Sequence, residues 1–124
     1  MELNPETDLS IDVANLTSEF KLFPITMYRY SLHRAKVEAQ RDAAKANLKE
    51  VRATVYKRVK NDTSAKHTQS SLEAEIDTDP TVIEAQKKFI RAEHDATTWA
   101  GAVESMRSKK DCLIQLGSDR RKEM

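Results

Sequence analysis

Two glycines and three prolines in 124 residues leave few places where a helix must stop. Such scarcity of breakers argues against a sandwich of short strands and for long helices. One cysteine, Cys112, excludes an internal disulfide and suits a reducing compartment. No run of apolar residues is long enough to cross a bilayer, so no membrane partner is expected. The acidic start lacks the basic and apolar regions of a signal peptide. Only 39% of the residues are hydrophobic and 33% are charged, too lean a mixture for a thick core. The chain suffices for one domain.

Catalytic signatures are missing as well. There is no glycine-rich phosphate loop, no cysteine pair for zinc and no histidines at metal-ligand spacing. His33, His67 and His94 read as solvated residues, and Cys112 as a small hydrophobe flanking a seam. Glu38/Asp42 and Glu104/Asp111 read as solvated faces with basic neighbours, because a rod supplies no concave site. The expectation is a protein without catalytic residues, metal or cofactor, working by binding and assembly.

What is present is helical pattern and segregated charge. Residues 1–23 form an acidic segment, with residues 1–10 as a tail and a short helix over Ile11–Phe20 capped by Ser10. Phe23-Pro24 predicts a break, since the residue before proline avoids the helical region. A basic helix follows over 24–61, with ten basic residues against Glu38, Asp42 and Glu50. An acidic link spans 62–79, closed off from the helix by Asn61-Asp62-Thr63-Ser64. Within it, Ser70 and Glu73 have the spacing of a capping box for a short helix ending near Ile76. Asp79-Pro80 predicts the start of a second long helix over 80–117, with Gly117 as its C-cap and Lys109 and Lys110 on its C-terminal dipole. Residues 118–124 then form a basic tail.

The second long helix carries a seam: Val82, Ala85, Phe89, Ala92, Ala96, Trp99, Val103, Met106 and Leu113 alternate by three and four, interrupted by Lys110. The first offers Ile25, Tyr28, Leu32, Ala35, Ala39 and Ala46 at the same spacing, then a shifted stripe of Ala44, Leu48, Val51, Val55 and Val59. The predicted fold is all-α: two long helices in an antiparallel hairpin with short flanking helices. Two apolar faces on the first helix predict that one meets the second helix and the other a neighbouring subunit, giving a helical homo-oligomer. Of Tyr28 and Tyr30, one is assigned to the seam and one to the subunit contact.

The densest basic cluster is Lys49, Arg52, Lys57, Arg58 and Lys60, with Tyr56 among them. Lys49, Arg52 and Tyr56 fall at i, i+3 and i+7, on one helical face. Cations that track phosphates beside an aromatic on which a base stacks are what single-stranded nucleic acid requires. An equally open reading is a solvated basic face with Tyr56 packed on Val59 or a partner.

From Tyr28 to Leu116 this layout resembles the UvsY-like recombination mediator proteins of tailed bacteriophages. The resemblance rests on a basic, Ala- and Lys-rich long helix, then Lys49, Arg52 and Tyr56. The acidic link from Glu73 to Asp79 follows, then a second long helix with Trp99 near its middle. Lys49 and Arg52 stand three apart, where the family has two. The resemblance implies a small helical ring or bundle that binds single-stranded DNA in the cytoplasm of an infected bacterial host. Such proteins help a RecA-like recombinase displace a single-strand-binding protein, and are neither enzymes nor nucleotide-dependent. The competing expectation is a non-enzymatic helical scaffold or assembly chaperone of a phage.

Overall fold

The computed structural model describes residues 2–62 and 68–123. Thr63, Ser64 and His67, read above as helix stop and solvated histidine, lie outside them. The described residues are helical, with no strand: α1 (Pro5–Asp8), a 3-10 turn (Val13–Asn15), α2 (Leu16–Lys60), α3 (Gln69–Thr78) and α4 (Pro80–Glu123). They divide into two compact units. One comprises Met1–Lys36 with Ala96–Met124, the other Val37–Asp95.

In the first unit, the start of α2 packs against the second half of α4, with α1 beside them. Tyr30, Val103 and Met106 are buried together, flanked by Leu3, Leu9, Phe23, Met27 and Trp99. Tyr30 is fully enclosed, and its hydroxyl donates to the Asp8 carboxylate at 2.6 Å. Burial, then the Asp8 bond and charge, push its ionisation above the usual tyrosine range. Lys109 is the second tether. Its ammonium lies 2.6 Å from the Asp8 carbonyl oxygen and 3.0 Å from Glu19 Oε2.

Several expectations are corrected in this unit. The segment expected to be a tail holds α1, because Asn4 caps it by accepting from the Thr7 amide and Leu3 and Leu9 join the core. The short helix over 11–20 is replaced by a 3-10 turn capped by Asp12 and by the start of α2. Pro24 lies inside α2 instead of breaking it. A proline in a helix interior costs about 3 kcal/mol. Burial of Leu16 and Tyr30, with Phe23 and Met27 half-buried, offsets this, at about 1.5–3 kcal/mol per large side chain fully removed from water.

Because α2 starts early, its buried stripe in this unit is Phe23, Met27 and Tyr30. Ile25, Tyr28, Leu32 and Ala35, the expected seam, are exposed, as are Ala39 and Ala46 further along α2. Tyr30 takes the seam place. His33 is half-buried rather than solvated, its ring edge-on to Trp99 at 4.2 Å between centroids. Cys112 is exposed, not tucked beside a seam.

Gly117 does not end α4, which runs to Glu123 with no glycine at positive φ. Its place follows from close approach: a Cβ there would lie 3.2 Å from the Phe20 ring. The expected basic tail therefore forms the last helical turn, where Arg120, Arg121 and Lys122 complement the dipole. Lys109 and Lys110 lie well before that end, and Lys109 serves the Glu19 and Asp8 contacts instead.

In the second unit the last half of α2 runs against α3 and the start of α4. Val55, Val59, Leu72, Ile76 and Val82 form its core, with Leu48 and Val51 packed on it. This is the shifted stripe read from the sequence. The end of α2 faces the start of α4, so the two run antiparallel. The cap of α3 is Thr68, two residues before Ser70, and accepts from the Ser71 amide; Glu73 pairs with Gln69. The seam of α4 is as read: Val82, Ala85, Ala96, Val103, Met106 and Leu113 are buried and Phe89, Ala92 and Trp99 half-buried.

Replacing Tyr30 by Ala is expected to lower stability to urea by about 3–5 kcal/mol, as for other large aromatics in a core. Tyr30→Phe keeps the packing but removes the hydrogen bond to the Asp8 carboxylate, which retains only the longer one from the Asn4 amide, at about 1 kcal/mol. Because the folded hydroxyl ionises later than the unfolded one, its contribution is complete below pH about 10 and is lost as pH rises beyond. Urea midpoints at pH 8 and 11 check this: the alkaline loss shrinks in Tyr30→Phe.

Candidate nucleic-acid interface

The basic end of α2 lies wholly in the second unit, whose core fixes which way its cations point. Val51, Val55 and Val59 face inward. Lys49, Arg52, Tyr56 and Lys60 follow at steps of three, four and four, so they share one side of the helix outside the core. Lys45, one turn earlier, continues this face. Tyr56 is 37% exposed, and the Lys60 ammonium lies 5.5 Å from its ring centroid. At that distance the cation favours the ring face by about 0.5–1 kcal/mol and leaves the tyrosine at the surface. It does not pack into the core beside Val59.

The remaining two candidates diverge. Lys57 is exposed but sits about 100° around the helix from Tyr56. Arg58 turns towards α4 and ion-pairs with Asp79. Asp79 is the N-cap of α4: it accepts from the Thr81 amide at 2.9 Å and from the Thr81 hydroxyl. Those bonds, more than the Arg58 pair, lower its pKa from 3.8 to about 2, against an opposing effect of burial. Arg58 therefore clamps the α3–α4 junction to α2 and is committed to the fold. Arg52 is intermediate. Its guanidinium is 2.8 Å from Asp77 of α3, but both side chains stay substantially open, 40% and 60% exposed. Such a pair is worth about 0–1 kcal/mol and yields readily to another anion.

A shallow groove lined by Asp42, Lys45, Ala46, Leu48, Lys49 and Arg52 runs along this face, with three cations against one carboxylate. On the other side of Arg52 a second depression is lined by Asp77, Ile83, Gln86 and Lys87. Lys87 and Gln86 of α4 thus extend the basic face, although sequence reading passed over them. Both lie on the other helix, and only the seam of α4, once placed against α2, brings them beside Arg52.

Chemically the face offers ammonium and guanidinium groups for phosphates, an amide, and one aromatic plane for a base. Among the described residues no group of three or more His, Cys, Asp or Glu is placed to hold a metal ion. No helix among them is long and apolar enough to cross a membrane.

The Asp79 contribution to stability is present above pH about 4 and is lost as pH falls from there towards 2, because its folded pKa is depressed. Asp79→Asn keeps a capping side chain but removes the charge facing Arg58. The expected result in circular-dichroism melts is a smaller difference between pH 7 and pH 2.5 in Asp79→Asn than in the native chain; equal differences would remove the clamp role. No protein-family model, curated protein or solved structure matches the chain.

Proposed function

We propose that the protein binds single-stranded nucleic acid along the α2 face formed by Lys49, Arg52, Tyr56 and Lys60, extended by Lys45 and Lys87. The observation that carries this is Tyr56, an aromatic ring kept at the surface between lysines that have no role in the core. Phosphates follow the cations and a base stacks on the ring, a mode that is tolerant of sequence. Four or so cations per chain give only weak binding. Self-association multiplies them by avidity, and the exposed Ile83 and Ile90, seven apart on α4, supply apolar surface for it.

Joined to the family resemblance, the reading becomes a recombination mediator in a phage-infected cell. It is a non-enzymatic homo-oligomer, without cofactor, that loads a RecA-like recombinase onto DNA covered by single-strand-binding protein. The scaffold or assembly-chaperone alternative has its own support: Arg52 and Arg58 are already paired with Asp77 and Asp79 inside the chain, as in a helix whose charge serves assembly.

The reading is tested by fluorescence anisotropy with a labelled single-stranded oligonucleotide across a salt series. Lys49→Ala and Lys60→Ala are each expected to weaken binding and to flatten the log–log salt slope by about 0.7. Tyr56→Ala costs about 1–3 kcal/mol of binding. No binding at low salt leaves the scaffold reading. Asp77→Asn, which frees Arg52, is expected to tighten binding by up to about fivefold, the worth of an exposed ion pair. Sedimentation showing a monomer at micromolar concentration would remove the oligomer.

A further inference from the structure

The first unit carries an apolar stripe that its own core leaves uncovered. Leu22, Ile25, Tyr28 and Leu32 of α2 are 55%, 53%, 64% and 52% exposed. Ile25 and Leu32 stand two positions from the nearest of Phe23, Met27 and Tyr30, about 200° or 160° around the helix, whereas Leu22 and Tyr28 stand one from Phe23 and Met27, about 100° around. They therefore run along the side of α2 that faces away from α4. Their spacing of three, three and four is that of a seam awaiting another helix.

The rim of the stripe says what kind of helix. Lys21, Arg29 and Lys36 are exposed along it. Beside Leu32, a shallow pocket is lined by Leu3, Arg29, His33 and Lys36; Arg29 already has a polar contact of its own and His33 stacks edge-on to Trp99, so the Lys36 ammonium is the cation at its rim. A second copy set stripe to stripe would bring Lys21, Arg29 and Lys36 against their own equivalents, an arrangement that costs free energy. Nor does a second copy offer a spare acidic amphipathic segment among its described residues. Leu3 and Leu9 of the acidic N-terminal segment are already packed on the Tyr30 cluster, and Leu72 and Ile76 of acidic α3 are buried. The stripe is also narrow, whereas a helix lying on a bilayer presents a broad apolar face.

We infer that the outward stripe of α2 in the first unit is a docking surface for an amphipathic helix of a different protein, one with apolar residues at heptad spacing and glutamates or aspartates flanking them. The apolar side chains supply affinity and the basic rim selects the partner and its register. This inference stands apart from nucleic-acid binding, which uses the other unit.

The test uses the full chain and two fluorescein-labelled synthetic helices of identical leucine pattern, one flanked by glutamate and one by lysine. The glutamate-flanked peptide is expected to bind and the lysine-flanked one not. Ile25→Ser with Leu32→Ser is expected to weaken that binding at least about tenfold, with the helical circular dichroism unchanged. Lys21→Glu with Lys36→Glu is expected to reverse the preference towards the lysine-flanked peptide, an outcome that loss of fold cannot produce. Equal binding of both peptides, or binding that neither double variant alters, overturns the inference. So does loss of self-association in Ile25→Ser with Leu32→Ser without any effect on peptide, which assigns the face to a second copy. Binding to phosphatidylserine vesicles and to neither peptide overturns it in favour of a bilayer.

Discussion

Everything in this fold depends on one constraint: α2 and α4 must bury a single stripe of side chains spaced by three and four residues. So lean a composition permits little else. Tyr30, Val103 and Met106 in one unit, and Val55, Val59 and Val82 with α3 in the other, are at the centre of the buried stripes that keep long charged helices associated. Because each helix has one buried face, the rest of its circumference is surface. The basic face of α2 and its apolar outward stripe exist for that reason.

Polar contacts then fix what the seam leaves loose. At one unit the Asp8 carboxylate meets the Tyr30 hydroxyl, and the Asp8 carbonyl meets Lys109. At the other, Asp77 and Asp79 meet Arg52 and Arg58. The two differ in consequence. Asp79 is held by its cap geometry and Arg58 is committed with it, whereas Asp77 only competes for Arg52. The same acidic helix that covers the core of the second unit therefore moderates the charge of the neighbouring basic face.

Much of this was legible in the sequence. The all-helical class, the α4 seam, the Asp79-Pro80 start and the end of α2 near Lys60 all rest on local signals, and the chain obeys them. The misreadings share a cause. Treating Pro24 as a stop left Phe23 outside the helix, and without Phe23 the stripe of Ile25, Tyr28 and Leu32 looked like the seam. Proline is a local signal, and the burial of Leu16 and Tyr30 that overrides it is not. Gly117 repeats the pattern: a glycine near the end of a helix reads as a cap until the Phe20 ring beside it is known. In the candidate site, the shared face of Lys49, Arg52 and Tyr56 follows from spacing, whereas Lys60 stands in the sequence only as part of the basic cluster with Lys57 and Arg58. The commitment of Arg58 needed the position of Asp79, twenty-one residues away, and the arrival of Lys87 needed the docking of α4. The charge segregation between α2 and the acidic link was the only sequence trace of those pairings.

We propose that one face of α2, in the second unit, meets single-stranded nucleic acid. The most direct measurement is a residue-resolved NMR titration with a short oligodeoxythymidylate. Backbone and side-chain shifts are expected to concentrate on residues 45–60 of α2, including the Tyr56 ring, and on Lys87 of α4, with the Tyr30–Trp99 region unmoved. Shifts centred on the first unit, or none at low salt, would contradict it.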